Sequence, residues 1–215
     1  MRKAFITGAS GGVGLEVARQ LSDAGWQVIA HYRTQPREID GVTWWQADLC
    51  AEYELPEIHE LDALVHCAGV ATLGRVSEAP QQDWLTAMAV NLHAPVAVTN
   101  ALLPALRAAH GHVVYLNSGA GHRANPNWGA YAASKFAARA WCDALRAEEP
   151  VIRVTSVHPG RIDTPMQKHI VEQEQGDYDP AQYLRASTVA AAVVYALNTP
   201  DDCEPNEMIL RPRTH

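Results

Sequence analysis

The chain has 215 residues, 47 % of them hydrophobic and 19 % charged, a balance that excludes the disordered class. Seventeen Lys and Arg against 24 Asp and Glu leave a net charge of -7, which argues against nucleic acid as the main partner. The length fits one α/β domain, expected over residues 1–215.

In chain order, Lys3–Thr7 (KAFIT) is predicted as a buried strand. Glycines follow, and Val13–Leu21 spaces its apolar residues as a helix does, with Ala24-Gly25 as its stop. Trp26–His31 and Val42–Gln46 read as the second and third strands, and Glu52–Glu60 as a weak acidic helix. Leu61–Cys67 is the fourth strand. A long helix spans Gln81–Ala109, adjusted at Pro95 and Pro104. His112–Leu116 is the fifth strand, Trp128–Glu148 an Ala-rich helix, and Ile152–Val157 the sixth strand. Pro165–Tyr178 is polar and irregular and reads as a mobile lid. Ala181–Leu197 is helical, and Glu207–Leu210 is a last strand.

Strands alternating with helices call for right-handed crossovers and a parallel sheet covered on both faces. The expected fold class is α/β: a Rossmann-type, doubly wound parallel sheet of about seven strands, with ligands at the strands' carboxyl ends. The run Trp84–Leu106 carries no formal charge and reaches membrane-spanning length. Asn91, His93, Pro95, Asn100 and Pro104 within it favour a buried helix, so no membrane partner is expected. The apolar stretch after Met1-Arg2-Lys3 is too short for a signal-peptide core, which points to the cytoplasm. Cys50, Cys67, Cys142 and Cys203 form no C-x-x-C pair and are expected as free thiols in a reducing compartment.

Thr7–Gly14 (TGASGGVG) joins the first strand to the first helix. Glycines there let backbone N–H groups approach a pyrophosphate, and the helix N-terminus favours the same anion. A turn with a helix cap is the plainer reading. The strand before and the helix after favour a nucleotide, held by Gly8, Ser10, Gly11, Gly12 and Val13. The second strand ends Ala30-His31-Tyr32-Arg33-Thr34 without the carboxylate that an NAD site uses. Arg33 can pair with a 2′-phosphate, so NADP(H) is favoured over NAD(H); otherwise it is a solvated surface arginine. Asp48, followed by Leu49, can accept from an adenine amino group or cap the acidic segment behind it.

Tyr131 and Lys135 stand four apart on a predicted helix and share one face. An ammonium beside a phenol stabilises the phenolate, which makes Tyr131 a candidate general acid/base with Lys135 as its tuner. Ser118 follows the fifth strand, where its hydroxyl can donate to a carbonyl as charge develops. The bland alternatives are a surface helical pair and a turn serine.

In combination these motifs resemble the short-chain dehydrogenase/reductase family, in its single-domain branch, over nearly the whole chain. The T-G-x-x-x-G-x-G loop, Ala68-Gly69 after the fourth strand, Asn91 in the long helix, Ser118, Y-x-x-x-K and Pro159–Thr164 occur in the family's order. The resemblance implies a tetrad of Asn91, Ser118, Tyr131 and Lys135. Tyr131 would move the proton, Ser118 orient the carbonyl, Lys135 bind the nicotinamide ribose, and Asn91 support a water-linked proton path. It also implies cofactor contacts from Ala68, Gly69, Pro159, Gly160, Ile162 and Thr164. The implied activity is NADP(H)-dependent interconversion of a small carbonyl compound and a secondary alcohol, in a homodimer or homotetramer. One departure is His66-Cys67 where the family has two asparagines. It weakly favours the rival reading, a nucleotide-binding sensor with little catalysis. Ten histidines make no metal-ligand spacing such as H-E-x-x-H, so no metal is expected. His122, Arg123, Trp128, Met166 and His169 are candidates to line a substrate cleft.

Overall fold

The computed structural model describes residues 1–213; Thr214 and His215, the end of the expected 1–215 domain, lie outside the described residues. Nine strands are described: β1 (Lys3–Thr7), β2 (Gln27–Tyr32), β3 (Val42–Gln46), β4 (Ala63–His66), β5 (His112–Leu116), β6 (Arg153–Pro159), β7 (Ile162–Asp163), β8 (Leu184–Arg185) and β9 (Glu207–Leu210). Seven of them form one parallel sheet in the order β3-β2-β1-β4-β5-β6-β9. The order reverses between β1 and β4, so loops leave this seam in opposite directions and open a crevice at the carboxyl ends. The doubly wound α/β sheet expected from the alternation is the one observed.

Side-chain alternation divides the core into two layers. Ile6, Val28, Val65 and Val114 face α1 (Gly12–Asp23) and α6 (Ala186–Leu197), through Val17, Leu21, Val189 and Val193. Phe5, Leu64, Val113 and Tyr115 face the other way, onto α3 (Ala94–Ala109) and α4 (Gly129–Glu148), through Val98, Leu106, Ala138 and Cys142. Helix α1 stops as expected: Gly25 takes φ +79°, and the Trp26 N–H returns to the Leu21 carbonyl. The helical stretch Gln81–Ala109 is long and apolar enough to cross a membrane, yet its α3 part packs Val98, Leu102 and Leu106 against the sheet. All four cysteines are free thiols.

The long helix is not uniform. It divides into α2 (Gln81–Met88), a π turn over Ala89–His93, and α3. Pro104 is carried inside α3, while the irregular turn falls just ahead of Pro95. Pro95 has no N–H to give the Asn91 carbonyl, and the Tyr115 hydroxyl donates to it instead.

Three expected elements differ. No helix forms over Glu52–Glu60. Pro56 interrupts the segment, Tyr53, Leu55 and Ile58 pack onto the α3/α4 layer, and the Glu54 carbonyl accepts from the Trp45 indole. Asp48 therefore caps a turn, accepting from the Cys50 N–H at 3.0 Å, and not a helix. The expected irregular lid contains a capped helix, α5 (Pro165–Gln173), with Thr164 at its N-cap, Pro165 in its first turn, and Ile170 and Val171 buried. Helix α6 begins at Ala186, not Ala181. A 3-10 turn over Pro180–Gln182 and the short β7–β8 ladder occupy the preceding residues.

Candidate active site

Two adjoining cavities open at the carboxyl end of the sheet, of about 640 and about 240 Å³. They share Cys67, Ala68, Gly69, Ile162 and Thr164. The larger is lined by Gly8, Ser10, Gly11, Gly12, Val13, Arg33, Asp48 and Leu49, the residues assigned to the nucleotide from sequence. The smaller is lined by Ser118, Tyr131, Lys135, Pro159 and Gly160. The expected site residues therefore gather in one place, except that Asn91 lies buried behind it and lines neither cavity.

The glycine loop is built for close approach. Gly8 has φ +66°, and a Cβ there would come within 2.6 Å of the Ala68 backbone. A Cβ on Gly14 would come within 2.4 Å of the Gly8 carbonyl, so only glycine lets α1 start this close to the loop. The Gly8 N–H donates to His31 Nδ1 at 3.0 Å, which leaves His31 Nε2 to donate to the Ala47 carbonyl at 3.1 Å. Burial keeps that imidazole below its ordinary pKa, consistent with the accepting nitrogen. No side chain caps the N-terminus of α1, so its first N–H groups are available to an anion in the larger cavity. Among the described residues the loop thus fits a dinucleotide's pyrophosphate. Arg37, unremarked in the sequence, donates to the Ser10 carbonyl at 2.9 Å and adds a cation at the glycine loop.

Ser118 follows β5, at the N-cap of the 3-10 turn Gly119–Gly121, and is fixed from both sides. Its N–H donates to Asn117 Oδ1 at 2.9 Å, and Asn117 Nδ2 reaches the Lys135 carbonyl on α4 at 3.2 Å. The Ser118 Oγ accepts from the Ala120 N–H at 3.1 Å, and Ser118 and Tyr131 line the same cavity. Burial raises the Tyr131 phenol above its usual pKa, and the nearby Ser118 hydroxyl opposes that rise. The lowering by Lys135 expected from the helical spacing is not produced. The Lys135 Nζ is 5.8 Å from the Tyr131 ring centre and turned toward β5.

Lys135 is 3 % exposed, and burial pulls its ammonium down to about 7. Its Nζ donates to the Tyr115 hydroxyl at 3.1 Å and to the Leu116 carbonyl at 3.0 Å. Tyr115 in turn donates to the Asn91 carbonyl. A phenol thus links Lys135 to the Asn91 carbonyl. The Asn91 side chain points elsewhere. It exchanges two 2.9 Å hydrogen bonds with the Val70 backbone and donates to Ser134 Oγ at 3.0 Å. In this way Asn91 pins the loop after Ala68-Gly69, next to the two positions where the family's amides are replaced. Of those replacements, His66 bonds Thr99 Oγ1 at 2.9 Å inside the α3 layer, and burial holds the Cys67 thiol up at about 12.

Of the residues expected around a substrate, Trp128 and Met166 line the smaller cavity; His122, Arg123 and His169 do not. The Trp128 ring stands edge-on to Tyr131 at 5.6 Å. Ile170, Val70 and Met166 make the rest of the wall largely apolar. Arg161 also lines it, but its guanidinium is held by Glu174 at 2.6 and 2.7 Å. Gln167 Nε2 is buried there without a hydrogen-bond partner among the described residues.

Comparison with known proteins accords with this geometry. Residues 46–175 match the family model for short chain dehydrogenase. An uncharacterized oxidoreductase of Staphylococcus saprophyticus is 29 % identical, covering 96 % of this chain and 94 % of that protein. Dehydrogenase/reductase SDR family member 11 of Mus musculus is 27 % identical over 98 % and 94 % of the two chains. A short chain dehydrogenase of Shigella flexneri, solved with NADP, is 26 % identical and superposes with a TM-score of 0.83 over 99 % and 97 % of the chains. An alcohol dehydrogenase of Thermococcus sibiricus, solved with 5-hydroxy-NADP, shares the fold with a TM-score of 0.84 at 24 % identity. With the family's loop, serine, tyrosine and lysine gathered around one crevice, the chain belongs to the short-chain dehydrogenase/reductase family of oxidoreductases.

Proposed function

We propose that this chain interconverts a small, uncharged carbonyl compound and its secondary alcohol, with NADP(H) as the redox partner. The observation that carries the reading is that Ser118, Tyr131 and Lys135 line one small, largely apolar cavity that adjoins the glycine-loop cleft. When bound, the nicotinamide ring supplies or takes the hydride. Tyr131, kept protonated by burial, donates its proton to the carbonyl oxygen in the reductive direction. Ser118 donates a hydrogen bond to the same oxygen as charge develops on it. Lys135 offers its remaining N–H to the nicotinamide ribose. Apart from Lys135, assigned to the nicotinamide ribose, the charged side chain on the described wall is Arg161, ion-paired with Glu174; this supports an uncharged substrate, and Gln167 offers a donor to a second polar atom of it.

Arg33 and Arg37 beside the glycine loop, and the absence of a carboxylate at the end of β2, support NADP(H) over NAD(H). Charge-assisted hydrogen bonds are worth about 1.5–3 kcal/mol. Arg33→Ala should therefore lower kcat/KM with NADPH by about tenfold or more and leave NADH turnover nearly unchanged. Equal loss with both cofactors would remove the assignment. Screening ketones, aldehydes and quinones with NADPH tests the activity itself. Tyr131→Phe should abolish turnover while NADPH still binds. Tight NADPH binding by the unaltered chain without turnover of any compound would favour a nucleotide sensor.

A further inference from the structure

Outside both cavities, three side chains from distant parts of the chain converge behind Ser118. His122 follows the 3-10 turn after Ser118, His158 lies within β6, and Glu207 opens β9. Their ligand atoms all lie within 4.8 Å of one another. The two imidazole rings stand 4.2 Å apart between centres, tilted by 54°. The His122 Nε2 is 3.8 Å from Glu207 Oε2, and the His158 Nε2 is 3.7 Å from Glu207 Oε1. Both distances are too long for hydrogen bonds. Both Nε2 atoms are buried without a hydrogen-bond partner among the described residues, which costs free energy unless something else satisfies them.

The remaining contacts orient these atoms. His158 Nδ1 is 3.1 Å from the Ser118 carbonyl, which can only accept, so Nδ1 carries the proton and Nε2 presents a lone pair. Arg139 Nε donates to Glu207 Oε1 at 2.6 Å and fixes the carboxylate, leaving Oε2 toward His122.

We propose that His122, His158 and Glu207 form a binding site for a divalent transition-metal ion, zinc by its ligand chemistry, held by the two Nε2 atoms and Glu207 Oε2. Zinc takes imidazole and carboxylate ligands at about 2.0–2.2 Å, which sets tetrahedral ligand atoms roughly 3.4 Å apart. The His122 Nε2–Glu207 Oε2 pair stands a few tenths of an ångström wider, and all three ligand atoms lie within 4.8 Å of one another, spacings that side-chain rotations close. The outer partners that such a site needs are already in place: the Ser118 carbonyl on one imidazole and Arg139 on the carboxylate. Water or an exogenous anion takes the fourth position, reached from the partly exposed His122 and Glu207 side. The ion would tie the turn that carries Ser118 to β6 and β9, so it acts as a structural staple behind the active site.

The test uses the full chain stripped with a chelator and titrated with zinc chloride by calorimetry, with cobalt(II) as a spectroscopic stand-in. One zinc per chain, visible cobalt bands of a four-coordinate site, and a raised Tm are expected. His122→Leu and Glu207→Gln should each weaken zinc binding at least tenfold and abolish the cobalt bands, while His59→Ala at an exposed histidine changes neither. Retention of the circular-dichroism melt in His122→Leu shows that the fold survives if Glu207→Gln does not. No zinc uptake by the unaltered chain, or unchanged affinity in the folded His122→Leu variant, would overturn the site.

Discussion

Two of the N–H bonds of Lys135 are committed to the Tyr115 hydroxyl and the Leu116 carbonyl, and that commitment sets its position under the cleft. Removing the Tyr115 hydroxyl leaves Lys135 one protein partner and leaves the Asn91 carbonyl without its donor. Tyr115→Phe should therefore weaken NADPH binding and lower kcat, together by about tenfold, the scale of one misplaced hydrogen bond of about 1.4 kcal/mol. Fluorescence titration with NADPH beside steady-state kinetics separates the two effects; both unchanged would show the phenol to be packing only. Because burial brings Lys135 down to about 7, it loses its charge as pH rises through neutrality. NADPH affinity should weaken across that interval, and Lys135→Met should remove the step. The Tyr131–Lys135 pairing was legible from a spacing of four in the sequence. Tyr115 was not, because within HVVYL it reads as one more core residue, and its role depends on the π turn that turns the Asn91 carbonyl toward it.

Helix α5 walls both cavities through Met166 and is anchored at its start by Thr164, whose Oγ1 accepts from the Gln167 N–H at 3.2 Å. Losing such a cap costs about 1 kcal/mol. Thr164→Ala should lower the unfolding free energy measured in urea by that amount and raise KM for the carbonyl substrate more than it lowers kcat. Thr164→Ser, which keeps the oxygen, should restore both values. If Ser fails where Ala fails, the working part is the Thr164 methyl group, which lies 3.4 Å from where a Cβ on Gly12 would stand. This helix was expected as an irregular lid because its polar residues outnumber its apolar ones. Its order comes from Thr164, Pro165 and the Arg161–Glu174 pair, a cap and a clamp that surface composition does not reveal. The opposite error fell on Glu52–Glu60, where an acidic, helix-like composition met Pro56 and individually packed, partly buried side chains. Local pattern decides an element only when no tertiary contact offers its residues a better partner.

At the scale of the whole molecule the sheet was the most legible feature, since near-continuous β-branched and aliphatic strands separated by amphipathic helices admit few other arrangements. The titratable groups hidden in that sheet carry a consequence for stability. His66 and His112 lie on neighbouring strands, bonded to Thr99 and Thr155, and burial lowers each to about 3. Above the ordinary imidazole value of about 6.5, folded and unfolded chains are both neutral at these positions, and pH has no leverage through them. As pH falls below that value the unfolded chain takes up two protons that the folded chain refuses until about 3. Each refused proton removes about 1.4 kcal/mol of stability per pH unit across this window. Urea denaturation between pH 7 and pH 4 should show this decline. His66→Asn, with no titrating ring, should flatten it by one proton's worth, whatever it does to stability at pH 7. A slope identical in the two proteins would mean that His66 is protonated within the fold, and that the strand seam beneath the active site is wetter than its burial implies.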